Sequence, residues 1–290
     1  MKKVVLTLAL TGLFSLNLYS QDDANKVIDL FNQAVEAEKA ENFALAIAKA
    51  NEAYTIAKTV PEGTEEVKAN LEKAIPQFYF KKAKKSFDDS KFEEALTEFK
   101  QAAEEAKKFN STELEKEAIE SIPKVHLTQA QKLFENNDFE GAITAFDKAL
   151  AIDTTNAQAY LIKGESLLKL GKNEEAVAVF EKTVEIANAT EKTSIANNAT
   201  TRIVSVYTRA AAEAQKTKKW ADVVSNAEKA LSYKPEKTAQ LFQLVDVGNL
   251  QQGAALVATN KTKACQFFKK VVNDPKLKET AAQLIKSTCN

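Results

Sequence analysis

Apolar and small residues recur along this chain at helical spacing. Ala46, Ala95, Ala142, Ala176, Val223 and Ala264 each open the same pattern, at intervals of 49, 47, 34, 47 and 41 residues. Four residues after each stand Ala50, Phe99, Phe146, Phe180, Ala227 and Phe268. Three further on come Ala53, Ala102, Ala149, Thr183, Ala230 and Val271. Spacing of i, i+4, i+7 is one buried face of an α-helix. Twelve residues before the first position a second small residue recurs in most copies: Ala34, Ala83, Ala130, Gly164 and Ala211. Two helices cross closely only where both carry small side chains, so each copy reads as a helical hairpin. An aromatic opens the second helix in four copies, at Phe43, Phe92, Phe139 and Trp220.

A repeat in this length range implies stacked supersecondary units with one continuous core. The pattern therefore predicts an all-α solenoid of about six hairpins. Pro275 to Thr288 reads as a C-terminal capping helix, since a terminal repeat needs a polar outer face. The longer intervals add residues before the first helix, as in 62–75 and 111–122. Both segments are helix-compatible and end in Ile75-Pro76 and Ile122-Pro123. Proline inside a helical pattern kinks or breaks it, so a long kinked helix or a short extra one is expected there. Turns are marked by Pro61-Glu62-Gly63, Asn137-Asp138, Gly171-Lys172-Asn173 and Lys234-Pro235. Alternation of the strand type is missing, and no interdomain linker stands out.

Composition fits long helices. Only 7 Gly and 5 Pro occur in 290 residues, and 44% of the chain is hydrophobic. The first residues change the picture of location. Lys2 and Lys3 precede an apolar run from Val4 to Tyr19, and charged sequence begins near Gln21. That is the pattern of a secretory signal peptide over residues 1–20, leaving a domain of 21–290. The run is shorter than the roughly 20 residues needed to span a bilayer. The expectation is export to a bacterial periplasm, with secretion or peripheral outer-membrane association as the alternative. Nothing later is apolar enough to be an integral membrane segment. Without Lys2 and Lys3 the chain keeps 38 basic and 40 acidic side chains, a net charge of −2. That balance gives no long-range attraction for nucleic acid or anionic lipid.

Candidate chemistry is sparse. His126 is the only histidine, so a catalytic triad and a multi-histidine metal site are excluded. Its slot holds Tyr79, Tyr160 and Tyr207 in other copies, which makes it a packing residue. Carboxylates occur as solvated helix faces, such as Glu93-Glu94 and Glu174-Glu175. The basic cluster at Lys81, Lys82, Lys84 and Lys85 is followed by Asp88 and Asp89 and reads as a solvated face. Gly248 and Gly253 are isolated and form no phosphate-cradling loop. No cofactor and no enzyme activity are expected. Cys265 and Cys289 are the only cysteines. They fall near the start of one C-terminal helix and the end of the next, ends that lie side by side in an antiparallel hairpin. In an oxidising compartment they can pair; free thiols remain the alternative.

The recurring residues resemble the tetratricopeptide repeat family. Tyr160, Gly164, Gly171, Ala176 and Phe180 carry the resemblance in one copy. Ala130, Phe139, Ala142, Phe146 and Ala149 carry it in the copy before, and Tyr207, Ala211, Ala227, Ala230 and Pro235 in the copy after. Together the copies cover about residues 24–272, and the resemblance implies that they wind into a right-handed superhelix. The departures are the longer units, Val223 at a small-residue slot and Thr183 at an alanine slot. The resemblance implies a non-enzymatic scaffold or adaptor that binds a protein or peptide partner of the cell envelope in a concave groove lined by first helices. Its groove positions fall on Phe80, Lys84 and Phe87, on Leu127, Gln131 and Phe134, and on Leu161, Glu165 and Leu168. For Phe80, Phe87 and Phe134 packing in the core is the competing reading. The family's carboxylate clamp needs Asn where this chain has Val35, Lys84, Gln131, Glu165 and Ala212, so that mode is not expected. The other function class left open is a periplasmic ligand-binding protein for glycan or peptidoglycan fragments.

Overall fold

A computed structural model describes residues 11–60 and 62–289, with side chains from Gln21 onward. Residues 1–10 of the expected signal segment lie outside the described residues, as does Pro61. Over 11–20 only a helical backbone is described. The chain divides into two compact units, residues 1–132 and 133–290, and the boundary falls inside a helix rather than in a linker.

The first unit contains α1 (Thr11–Lys39), α2 (Phe43–Ala57), α3 (Glu65–Asp88), α4 (Phe92–Lys108) and most of α5 (Thr112–Glu135). The second contains α6 (Phe139–Ile152), α7 (Ala157–Lys169), α8 (Asn173–Ala189), α9 (Thr193–Lys216), α10 (Trp220–Ser232), α11 (Ala239–Leu256), α12 (Lys261–Phe268) and α13 (Pro275–Thr288). Among the described residues there is no strand. Helices pack on their chain neighbours, and first helices also meet those of the next hairpin, as α1 with α3, α7 with α9 and α9 with α11. That stacking makes each unit an all-α solenoid.

The predicted helix register is the observed one. All eighteen second-helix positions, from Ala46 to Val271, are buried. Ala34, Ala83, Ala130 and Ala211 have no exposed surface. At Gly164 the crossing is very close: a Cβ there would lie 2.5 Å from Cε1 of Phe180. Thr183 fits an alanine slot because its hydroxyl donates to the Val179 carbonyl at 2.9 Å, satisfying a buried polar group within its own helix. The segments before Pro76 and Pro123 join the following helices as single 24-residue elements, α3 and α5. Of the two alternatives, the separate short helix does not occur.

One turn is used seven times. Glu41, Ser90, Asn110, Asn137, Gly171, Glu191 and Lys218 all have φ between 54° and 75°. Each is followed by an amide that reaches back five residues, as Asn42 N to Ala37 O at 2.8 Å and Lys172 N to Leu167 O at 3.0 Å. This is the Schellman closure, which satisfies the last carbonyls of one helix and reverses the chain. The residue after each turn then starts the next helix. Asn42 and Asp138 do so with a side-chain cap on Leu45 N and Gly141 N. Lys91, Lys172, Lys192 and Lys219 stand in the same position without a capping bond.

Candidate functional site

In the first unit Phe80, Lys84 and Phe87 lie one turn apart along α3. Both rings turn toward α4. Phe80 meets the buried Phe99 edge-on with centroids 5.6 Å apart, and Phe87 lies 6.4 Å from Phe92. Lys132 extends over Phe92, 5.5 Å from its centroid. Both phenylalanines are half-buried, so each ring serves the hairpin and still shows an edge. Lys84 is exposed and borders a shallow cavity of about 160 Å³ beside Phe43 and Asp88. Its neighbours are neutralised: Lys81 meets Glu38 at 2.5 Å and Lys85 meets Glu41 at 3.1 Å. The hydrogen bond from Lys85 to Glu41 holds that ammonium above its ordinary pKa. The lysine cluster is thus a set of surface ion pairs and not an anion site. On α5, Leu127 and Gln131 are half-buried, and His126 is buried.

In the second unit Phe134 stands edge-on to Phe139 at 5.6 Å. Leu161 is not at an open surface. It is 4% exposed, in a cluster with Leu167, Val177, Phe180 and Ile203, with Leu168 half-buried against it. Glu165 is taken by Arg202 of α9 at 2.8 Å. These positions pack or pair because α9 extends beyond the basic hairpin length and its added turns lie against α7 and α8.

The second unit also holds a feature the sequence reading did not single out. A cavity of about 630 Å³ lies between α8 and α10 with α9 as its floor, lined by Glu174, Val177, Val206, Tyr207, Arg209 and Lys229. Tyr207 stacks on Tyr233 with centroids 6.3 Å apart, and Lys229 lies 5.5 Å above the Tyr207 ring. The Tyr233 hydroxyl donates to the Glu181 carboxylate. Desolvation, and then the Glu181 bond and charge, push the Tyr233 pKa far above its ordinary value. Desolvation and the charges of Glu181 and Glu174 raise that of Tyr207. Both phenols therefore keep their protons, and that of Tyr233 is already given to Glu181. Among the described residues no group of three His, Cys, Asp or Glu side chains could hold a metal ion. No helix among them is long and apolar enough to cross a membrane.

The far end of the second unit is closed by two further groups. Cys265 and Cys289 form a disulfide with Cα atoms 5.8 Å apart. Asp246, fully buried in α11, accepts from the backbone N–H groups of Val272, Asn273 and Asp274 at 3.3, 2.7 and 2.6 Å, and from the Asn273 side chain at 3.1 Å. Its only sequence signal is a single acid inside an apolar helix.

Helical hairpins joined through small residues and closed by one recurrent turn define an α-helical repeat protein. Residues 127–190, from α5 into the turn after α8, match the family model described as tetratricopeptide repeat. That segment is the part of the chain for which the family is matched. Among solved structures, MamA (residues 41 to the end) from Desulfovibrio magneticus RS-1 is 21% identical over 71% of this chain and 96% of its own, with a TM-score of 0.28. The C-terminal part of a repeat protein from Cytophaga hutchinsonii is 16% identical over 88% and 99%, with a TM-score of 0.30. The TPR2AB domain of yeast Sti1, described in complex with pHSP90, is 13% identical over 91% and 98%, with a TM-score of 0.24. No curated protein matches the sequence.

Proposed function

We propose that this protein is a non-enzymatic interaction scaffold of the bacterial cell envelope, exported through residues 1–20, that holds a segment of a protein partner against its first helices. One observation supports this reading above others: three first-helix rings are held in place by packing yet incompletely covered. Phe99, Phe146, Phe180 and Phe268 inside second helices are buried, at 0–3% exposure, whereas Phe43, Phe92, Phe139 and Trp220 at their starts are half-buried. Phe80, Phe87 and Phe134 on first helices are half-buried, each with its ring fixed by one aromatic neighbour. A ring already held in one rotamer contacts a partner at little further entropic cost. Lys84 beside Phe80 and Phe87 supplies a charge for register. Apolar burial would give the affinity and the exposed charges the orientation.

The test is in-cell crosslinking followed by pull-down, comparing the natural protein with Phe87→Ala, with circular dichroism on both. The scaffold reading expects one envelope protein to be captured by the natural chain and lost by a variant of unchanged helicity. Capture that survives Phe87→Ala and Phe80→Ala alike refutes the first-helix surface. The same preparation tests location: the mature chain should start near Gln21 in the periplasmic fraction, and an uncleaved cytoplasmic chain contradicts export.

A further inference from the structure

The last helix is fastened at its two ends by different chemistry. Its start is fixed by polar bonds. Asp246 gathers the three amides of the preceding turn, and Asp274 caps α13 at Lys276 N and Leu277 N, at 2.9 and 3.1 Å. Its end is fixed covalently, by Cys289 to Cys265 of α12. Between these points the grip is light. α13 fully buries only Ala281 and Thr288, with Leu277, Leu284 and Ile285 half-buried against the Phe268 and Val271 cluster. The bridge is also reachable. Cys289 is half-exposed, and both cysteines border a cavity of about 360 Å³ that Lys261 and Lys269 line as well. Neighbouring ammonium groups favour the thiolate form of a cysteine.

We propose that the Cys265–Cys289 disulfide is a redox latch: its reduction by a dithiol frees the C-terminal half of α13 while Asp246 keeps the helix start in place. One thiolate of the dithiol attacks a sulfur of the bridge, forms a mixed disulfide and expels the other cysteine as a thiolate, which takes up a proton. The second thiol of the dithiol then closes on the first, releasing the remaining cysteine. Two electrons pass to the protein, leaving two cysteine thiols and one oxidised dithiol. The freed half-helix uncovers Phe268, Val271 and Leu250, an apolar end face that the oxidised chain keeps covered.

Hydrogen exchange read by mass spectrometry on the full chain tests this, comparing the oxidised protein, the protein reduced with dithiothreitol, the reoxidised protein, and Cys289→Ser without reductant. Alkylation reports the bridge in each sample. Amides of residues 280–289 should exchange at least about tenfold faster in the reduced and Cys289→Ser samples and recover on reoxidation. Those of α7 to α10 and of residues 272–275 should not change. Equal protection of α13 with and without the bridge overturns the latch. So does loss of protection spreading into α7–α10, which would make the bridge a global staple. Two alkylatable thiols in the untreated protein overturn it outright.

Discussion

Two hairpins of the second unit, α7–α8 and α11–α12, make the same crossing and finish it differently. In both, a glycine of the first helix faces a phenylalanine of the second. A Cβ on Gly164 would lie 2.5 Å from Cε1 of Phe180, and one on Gly253 would lie 2.5 Å from Cε1 of Phe268. Both rings are fully buried. The inner hairpin is then covered by α9, whose Ala199 and Ile203 join its core. The outer hairpin has only α13 to follow, a helix that contributes few buried side chains. A buried carboxylate and a disulfide appear at that end and not at the inner one. Where stacking supplies a core on both sides, apolar packing suffices; where the stack ends, specific bonds replace the missing neighbour.

The largest expected effect removes that replacement. Asp246→Ala leaves three backbone N–H groups of the α12–α13 turn without their acceptor, and a buried unsatisfied donor costs about 1–3 kcal/mol. Urea unfolding of the second unit should show a loss of about 3 kcal/mol or more. Asp246→Asn, which keeps one carbonyl acceptor, should lose less. A stability equal to that of the natural protein would mean the turn needs no such anchor and the contrast with the inner hairpin is false.

A middle-sized effect tests whether the two crossings are equivalent. Gly164→Ala and Gly253→Ala each drive a methyl into a phenylalanine ring, an overpacking that costs about 1–3 kcal/mol. Phe180→Leu should partly rescue Gly164→Ala in a double-mutant cycle, and Phe268→Leu should do the same for Gly253→Ala. The inner change should cost more, because α9 blocks the ring from moving, whereas α13 can shift. Equal costs would show that the outer hairpin is as tightly confined as the inner one.

Much of this was legible from spacing alone. The register of second helices followed from i, i+4, i+7 positions because a helix buries one stripe, and that rule holds for every copy from Ala46 to Ala264. The weakest copy shows where the rule stops. Twelve positions before Ala264 stands Gln252, which is not small, and the close approach is made by Gly253, one residue later. Helix α12 has only eight residues, so its turn enters one position out of step. Asp246 was not legible either: its partners are backbone amides of residues 272–274, which carry no sequence signal. The groove positions came from the repeat resemblance. That scheme takes no account of the α9 extension, whose Arg202 pairs with Glu165 and whose Ile203 packs with Leu161.

The smallest effect concerns the starts of the second helices, where α12 is capped and α8 is not. At the outer end Asn260 caps Lys263 N at 3.0 Å and Asp274 caps the first amides of α13. In the inner hairpin Lys172 occupies the equivalent position of α8 and offers no acceptor. Its ammonium also stands at the positive end of the helix dipole. The helix compensates in part with Glu174 and Glu175 in its first turn. Replacing Lys172 by Asp supplies the missing acceptor and reverses the unfavourable charge. The expected gain is about 1 kcal/mol, by analogy with the cost of deleting a natural cap. The same change at Asp274, to Lys, should lose a comparable amount and loosen α13 first. Thermal melts of the two variants would decide the matter. A stabilised Lys172→Asp shows that the inner hairpin tolerates a poor cap because its packing already holds α8. A neutral result shows that the acidic first turn does the whole of that work, and that the caps at the outer end are no substitute for a neighbour.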